Sequence, residues 1–243
     1  MIITPAIQQA IAPKGVLRAS INLGNKLLAG RNDQGIYGIS VDLANELAHQ
    51  LELAIEFKVF DKAMQSVAAV SNNEADFGFF AIDPERGQSI AFTPAYVLIE
   101  GYYLVRDESP FQTNADIDQA GNRIVVGQGS AYDLFLSRHI KKAEIIRAAS
   151  SQQVVQEFLT HDYEVAAGVK QQLQSDIADK SGLHLLDKRF MVIEQAMGCA
   201  KDRDPSVIKL LNEFVTEMLN NGFVADAAQR HNITGIQIAN AQD

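Results

Sequence analysis

The chain has 243 residues, 47% of them hydrophobic and 21% charged, with a formal net charge of −9. This length accommodates one large domain or two ordinary lobes, and the composition is that of a soluble globular protein. The acidic balance argues against a nucleic-acid surface, which needs a basic stripe. No apolar run approaches the roughly 18 residues of a membrane span.

The first residues lack the basic region, apolar core and small-residue cleavage site of a secretory leader. Two expectations stay open: a leader was removed, or the protein stays inside the cell. Cys199 is the single cysteine, which excludes an intramolecular disulfide and leaves the compartment undecided.

Strand and helix patterns alternate in the first third of the chain. Residues 16–21 are mostly apolar and end at turn-forming residues, which predicts a strand. Ser40 begins a helical pattern that reaches Leu51, and its hydroxyl is the predicted N-cap. Residues 55–59 alternate apolar and polar side chains, as a strand does, and residues 63–72 form a second predicted helix.

The alternation continues through the rest of the chain. The apolar runs 77–82, 102–105, 124–126, 145–146, 165–169 and 191–193 predict strands. A helical pattern follows Gly129, and Ser150 with Gln153 fits a capping box that begins another helix.

The last predicted helix has the clearest boundaries. Asp204 is its cap, Pro205 lies in its first turn and Gly222 ends it. Because strands alternate with helices along the chain, the sequence predicts an α/β protein with mostly parallel sheets.

Gly127 and Gly129 lie between a predicted strand and a predicted helix, as in a dinucleotide-binding fingerprint. Tyr132 occupies the third glycine position, where its ring would block close packing of the helix, so we reject a nicotinamide site. Gly129, Ser130 and Ala131 still offer free amides and the positive end of a helix dipole, which suit an anion. An ordinary strand-to-helix turn is the alternative interpretation.

Metal and nucleophile motifs are not recognisable in the sequence. The five histidines lack metal-ligand spacing, and neither a GxSxG elbow nor a phosphate-binding P-loop occurs. We interpret Cys199 as a packing residue, since no neighbour in sequence would lower its pKa. We therefore expect no metal and no cofactor.

Arg86 follows the apolar run 77–82 in the segment DPER. Asp83 as N-cap and Pro84 in the first turn predict a helical turn at the carboxyl end of that strand. Open α/β sheets bind ligands beyond the carboxyl ends of their strands, and a guanidinium there can hold a carboxylate or phosphate by two hydrogen bonds. A solvated arginine paired with Glu85 is the alternative.

Three segments carry a family resemblance: GIYGISVDLANELAHQLEL, ADFGFFAIDPERGQSIAFTPAY and RIVVGQGSAYDLFL, in this order. They resemble the family-3 solute-binding proteins of polar amino-acid ABC transporters, which are type II periplasmic binding proteins. The resemblance covers the chain from about residue 16 to about residue 235.

The resemblance implies an α/β fold of two lobes, with two mixed, mostly parallel sheets joined by two crossing strands. Lobe one would be residues 1–98 with 197–243, and lobe two residues 99–196. Residues 96–101 and 193–198 would form the hinge, and the ligand would lie in the cleft that closes around it.

The resemblance also implies which residues bind the ligand. Arg86 stands where relatives hold the α-carboxylate, and Gly129, Ser130 and Ala131 match the helix start that also binds the anion. Ala81 departs from the pattern, because relatives commonly carry Ser or Thr two residues before the turn.

We also expect Asn22, Phe79 and Phe80 to line the cleft, with at least one phenylalanine in the core because strand neighbours face opposite sides. Amino-acid binders place an Asp near the end of the lobe-two strand to hold the ligand ammonium, and this chain has Val169 or Lys170 there. The family's aromatic lid has no clear match near residues 61–64. A ligand with a second anionic group, reached by Lys170, is therefore as consistent as an α-amino acid, and a solvated lysine is the alternative for this residue.

These features favour an extracytoplasmic, monomeric solute-binding protein that captures a small carboxylate-bearing ligand for an ABC permease and does no chemistry. One alternative is a cyclohexadienyl-dehydratase-like enzyme on the same scaffold, in which Lys170 works with Glu164 or Asp133 as acid and base. Another is a leaderless cytoplasmic ligand sensor. No nucleic-acid partner is expected.

Overall fold

The computed structural model describes residues 3–240. The chain divides into two compact units, which we call unit 1 (Met1–Leu98 with Glu194–Asp243) and unit 2 (Ile99–Ile193). The interpretation of these segments as lobes joined by a hinge stays a prediction.

Helices and strands alternate along the chain. The α-helices are α1 (Pro5–Ile11), α2 (Ile39–Gln50), α3 (Ala63–Ser71), α4 (Ala131–His139), α5 (Val154–Thr160), α6 (Lys170–Asp176), α7 (Pro205–Asn220) and α8 (Phe223–Arg230). The strands are β1 (Leu17–Asn22), β2 (Gly30–Asn32), β3 (Gly35–Tyr37), β4 (Ile55–Phe60), β5 (Phe77–Ala81), β6 (Ile90–Arg106), β7 (Arg123–Gly127), β8 (Glu144–Ala148), β9 (Val165–Val169), β10 (Leu183–Leu185), β11 (Met191–Ala200) and β12 (Gln237–Ile238). Short 3-10 helices lie at Arg86–Gln88, Asn114–Asp116 and Ser151–Gln153.

Unit 1 is built on a mixed sheet with the strand order β4-β1-β5-β11-β6. β1 is parallel to β4 and β5, whereas β11 is antiparallel to β5. β12 extends β6 in antiparallel pairing, and β2 with β3 forms a separate hairpin. One face of α7 is buried, at the spacing that the sequence pattern predicts: Val207, Leu210, Leu211, Phe214, Val215 and Met218.

Unit 2 has the strand order β6-β9-β7-β8, with β10 also paired to β6. β7 is parallel to both β8 and β9, and β6 is antiparallel to β9 and β10. Helix α5 closes a hydrophobic core over this sheet that includes Tyr102, Leu104, Val125, Val154, Phe158 and Leu173. The predicted α/β class is confirmed in both units.

One predicted helix start is wrong, and one predicted capping box does not form. Gly38 is the N-cap of α2, with a φ of 122°, and the Ser40 hydroxyl lies instead 3.3 Å from the hydroxyl of Tyr96. Only glycine fits at this cap, because a Cβ atom on Gly38 would lie 2.5 Å from the carbonyl oxygen of Leu28. Ser150 is the N-cap residue of the 3-10 helix that leads into α5, as predicted, but its side chain makes no capping hydrogen bond.

The predicted boundaries of α7 are confirmed. The Asp204 carboxylate accepts a hydrogen bond from the Ser206 amide, and Pro205 is the first helical residue. Gly222 follows the helix in the left-handed conformation, with a φ of 82°. No helix within residues 3–240 is both long and apolar enough to cross a membrane.

Candidate functional site

The turn after β5 positions Arg86. The Asp83 carboxylate accepts hydrogen bonds from the backbone amides of Glu85, at 2.8 Å, and Arg86, at 3.4 Å. The chain then enters a 3-10 helix that begins at Arg86. The Asp83 side chain thus makes the predicted capping hydrogen bonds, although the N-cap residue of the 3-10 helix itself is Glu85. The turn lies directly beyond the carboxyl end of a fully buried strand.

Arg86 is buried rather than solvated, with only 7% of its surface exposed. One guanidinium nitrogen, Nη1, donates to the carbonyl oxygen of Ala81 at 3.3 Å. Burial lowers the pKa of Arg86 from its ordinary value, while the nearby charges of Asp83 and Glu85 act in the opposite direction. A buried cation gains free energy when an anion binds it, so the Arg86 site is chemically suited to a carboxylate.

Asn22 lies at the same edge of the unit 1 sheet as this turn. β1 and β5 run parallel in register, with Ala19 opposite Phe77, so both strands end on one side. The Asn22 side chain accepts a hydrogen bond from the Gly24 amide at 2.9 Å and shapes the turn that follows β1. The structure thus brings Asn22 and Arg86 to one sheet edge.

Phe79 and Phe80 are both buried among protein side chains. Phe80 packs in a cluster with Ala69, Val70 and Ile90. Phe79 makes edge-to-face contacts with Phe77 and Tyr96, at centroid distances of 5.8 and 6.1 Å. Phe80 is therefore a core residue, and a ligand contact for Phe79 stays a prediction.

The start of α4 in unit 2 is capped by its own side chains. The Ser130 hydroxyl accepts from the Asp133 amide at 3.0 Å, and the Asp133 carboxylate accepts from the Gly129 amide at 2.9 Å. Arg147 forms an ion pair with Asp133, with 3.1 Å between Nε and Oδ1. The prediction of a free Gly129 amide is wrong, because Asp133 supplies a negative group at this helix end.

Two positions near the start of α4 favour glycine, each for a different physical reason. A Cβ atom on Gly127 would lie 2.7 Å from the Ser151 backbone, so glycine permits the 3-10 helix to approach β7. Gly129 has a φ of 71°, which few other residues adopt. The Gly127-Gln128-Gly129 pattern is thus explained by packing and backbone conformation.

Lys170 is the first residue of α6 and reaches back to β6. Its Nζ atom lies 3.6 Å from a carboxylate oxygen of Glu100 and 4.8 Å from the ring centroid of Tyr102. Arg189 binds the other Glu100 oxygen at 2.8 Å, and this hydrogen bond is the largest cause of the lowered pKa of Glu100. Sequence reasoning missed Glu100 and Arg189, since only the pairing of Gly101 with Val169 places Glu100 beside Lys170.

The acid–base pairs considered for an enzyme are not formed. Glu164 precedes β9 and pairs with Arg123 at 2.6 Å, whereas Lys170 follows β9. At about 3.3 Å per residue, a strand of this length separates the two by roughly 20 Å. Asp133 is engaged by the α4 cap and by Arg147. The proposed pairing of Lys170 with Glu164 is therefore wrong.

Metal-binding clusters of His, Cys, Asp and Glu are absent from the described part of the chain, residues 3–240. Cys199 is buried, and burial raises the pKa of its thiol to about 11. Its interpretation as a packing residue is confirmed.

Comparison with known proteins identifies one matching family. The family model for bacterial extracellular solute-binding proteins, family 3, matches residues 28–233. No curated protein is significantly similar in sequence.

Solved structures share the fold at low sequence identity. A binding component of an ABC transporter from Wolinella succinogenes, complexed with lysine, is 20% identical with a TM-score of 0.76, over 89% of this chain and 95% of that chain. AbpA from Streptococcus pneumoniae, bound to L-arginine, is 16% identical with a TM-score of 0.77, over 93% and 100%. The ancestral amino-acid-binding protein AncCDT-1, a precursor of cyclohexadienyl dehydratase, is 18% identical with a TM-score of 0.75, over 93% and 98%. At these identities the likeness shows the fold alone.

Proposed function

Because the chain belongs to the bacterial extracellular solute-binding proteins of family 3, we propose that it captures a small carboxylate-bearing ligand and presents it to an ABC permease. The resemblance predicted from three sequence segments is confirmed by the match over residues 28–233. Members of this family are usually extracytoplasmic monomers, which supports the same location and oligomeric state for this chain. Lysine and L-arginine, found in two structures of the same fold, both carry a carboxylate.

The burial of Arg86 is the observation that carries this proposal. An arginine enclosed at the carboxyl end of β5, with its backbone amide held by Asp83, has a fixed position and little access to water. A guanidinium in that setting binds a planar anion through two parallel hydrogen bonds. We assign the ligand carboxylate to Arg86.

Within unit 2, we propose Ser130 and Ala131 as ligand-contacting residues. The Ser130 hydroxyl accepts a hydrogen bond from the Asp133 amide and also has a side-chain hydrogen bond with Tyr132, so a ligand would compete with Tyr132 for it. Ala131 is the first residue of the helix beside it. The Asp133 carboxylate already binds the Gly129 amide, so Gly129 is the weakest of the proposed contacts.

Ligand-induced thermal stabilisation tests the proposal. The purified protein is screened against amino acids, dicarboxylates and other small anions, and each hit is confirmed by calorimetry. At a hundredfold excess over Kd, binding adds about 2.7 kcal/mol, or roughly 5–10 °C for a chain of this size. Arg86→Gln should abolish the shift, and Arg86→Lys should reduce it, because lysine keeps the charge but loses the planar fork.

Arg31→Gln provides the matched control, since Arg31 is an exposed arginine of the same unit. Melting curves without ligand establish that each variant is folded. A carboxylate that stabilises wild type and Arg86→Gln equally would refute the assignment to Arg86. Chemical conversion of a bound ligand on prolonged incubation would refute a pure binding function.

A further inference from the structure

The turn that carries Arg86 is held at its end by a residue from a distant part of the unit 1 sequence. The Lys201 ammonium donates a hydrogen bond to the carbonyl oxygen of Gly87 at 2.7 Å, and the Lys201 backbone amide donates to the carbonyl oxygen of Ser89 at 2.8 Å. The Ser89 amide in turn donates to the carbonyl oxygen of Arg86 at 3.1 Å. Lys201 thus contacts the chain directly after Arg86 at two points.

Groups of opposite charge hold the two ends of this turn. The Asp83 carboxylate accepts amide hydrogen bonds at its start, and the Lys201 ammonium lies at the end of the 3-10 helix Arg86–Gln88. A negative group at the start of a helix and a positive group at its end both stabilise the helical backbone. A single 3-10 turn has little stability of its own. The position of Arg86 therefore depends on both groups.

The segment that carries Lys201 is itself fixed on both sides. Before Lys201, β11 packs closely on the start of β6, since a Cβ atom on Gly198 would lie 2.9 Å from the carbonyl oxygen of Ala91. Two residues after Lys201, the Arg203 guanidinium donates to the buried Asp76 carboxylate at 3.2 Å. Lys201 therefore has a fixed base from which its side chain reaches the turn.

We infer that Lys201 is a positioning residue for Arg86: it keeps the turn in the conformation from which the guanidinium binds a carboxylate. This inference rests on the proposed function, since it takes Arg86 as the group that binds the ligand. A turn released at one end populates other conformations, and the apparent affinity falls with the fraction of protein that is competent to bind. Loss of one hydrogen bond corresponds to a competent fraction of roughly one fifth.

The NMR signal of the Arg86 Nε–H group tests the inference without any ligand. The signal is identified by its absence from the spectrum of Arg86→Gln. Lys201→Met keeps an unbranched side chain but removes the donor, and should shift the signal and speed its exchange with water. Lys201→Arg restores a cationic donor and should return the signal toward that of wild type. Lys209→Met, at an exposed lysine of α7 in the same unit, should leave it unchanged.

Titration calorimetry, at a temperature where every variant is folded, measures the consequence for binding. The probes are L-arginine, L-lysine and succinate. Each probe that binds wild type should bind Lys201→Met about fivefold more weakly, because one hydrogen bond is lost. Lys201→Arg and Lys209→Met should bind it about as tightly as wild type does. A purely structural role for Lys201 would lower the melting temperature of Lys201→Met and leave its affinity unchanged.

The outcomes distinguish the inference from the function on which it rests. An unchanged Arg86 signal or an unchanged affinity in Lys201→Met, with binding still lost in Arg86→Gln, would overturn the inference and leave the proposed function standing. Equal losses of affinity in Lys201→Met and Lys209→Met would also overturn it. Failure of every probe to bind wild type would count against the proposed function, and the Arg86 signal would then decide the inference alone.

Discussion

Asp76 is the centre of a buried group of ion pairs in unit 1. Its carboxylate is fully buried and binds the Arg18 guanidinium through two contacts, at 2.7 and 3.1 Å, and the Arg18 amide at 2.8 Å. Arg203 adds a contact at 3.2 Å and donates its other nitrogen to the carbonyls of Ala10 and Ile11. One carboxylate thus links β1, the end of α1 and the segment before α7.

Asp76→Asn should destabilise the protein by about 3–5 kcal/mol, because it leaves two largely buried guanidinium groups without their counter-charge. Urea unfolding followed by circular dichroism measures the loss. Asp179→Asn removes an exposed carboxylate from a surface ion pair and should have no measurable effect. A loss below about 1 kcal/mol for Asp76→Asn would show that the arginines find other partners.

The sequence is sufficient to locate Arg86 but not its environment. The DPER segment predicts the turn, and the resemblance assigns the residue, whereas no sequence pattern gives the burial of the guanidinium. Glu100 and Lys170 are 70 residues apart (170 − 100) and meet only through strand register. Asp133 is adjacent in sequence to the predicted anion site. Its hydrogen bond with the Gly129 amide depends on the orientation of the Asp133 side chain, which the spacing of residues in the sequence does not predict.

At the scale of single elements, the N-terminus of α4 combines a structural role with a proposed ligand contact. Ser130→Ala and Ser130→Gly both remove the hydroxyl, so both should weaken ligand binding to a similar extent. Stability should separate them, because alanine at an N-cap costs about 1 kcal/mol and glycine only a few tenths. Denaturant unfolding and calorimetry on the two variants provide the measurement. Ligand affinity that follows stability, low in alanine and near normal in glycine, would show that Ser130 acts only as a cap.

Helices and strands were predictable where the apolar residues follow a strong periodicity. Their boundaries were less predictable where close backbone contacts set them. α7 was predictable because six buried apolar residues follow helical spacing. The start of α2 was not predictable, because its position depends on the close approach of the Gly38 backbone to the Leu28 carbonyl. β6 spans 17 residues, but only residues 102–105 have a clear strand pattern, because Pro94 and Glu100 interrupt the apolar run.

At the scale of the whole molecule, acid should unfold the protein through a set of carboxylates. Hydrogen bonds lower the pKa of these groups in the folded state: Glu56, Glu100, Asp116, Asp118, Glu164, Asp179 and Asp204. The donors are basic side chains, backbone amides and, for Asp204, the Ser206 side chain before its amide. A lowered folded-state pKa stabilises the protein above the unfolded pKa of about 4, and this contribution is lost as pH falls through the folded value.

Glu164→Gln isolates one member of this set, whose pKa is lowered mainly by its hydrogen bond with Arg123. The variant should be less stable than wild type at pH 7, and the difference should shrink as the pH falls toward 3. Urea midpoints between pH 3 and 7 measure both curves. Glu213→Gln, on the exposed side of α7, is the control. A constant difference across the range would mean that the Glu164–Arg123 pair does not contribute to the acid sensitivity.

The strand order of unit 1 also constrains how the chain is made. β11 lies between β5 and β6 in the sheet, yet it leaves the ribosome about 110 residues after β5 ends (residue 191 against residue 81). At 5–20 residues per second, the gap in the sheet stays open for roughly 5–20 seconds. Unit 2 is continuous in the chain, so all of its strands are available before that gap is filled. During synthesis, unit 2 is therefore complete while the N-terminal part of unit 1 still lacks β11, the strand that completes its sheet.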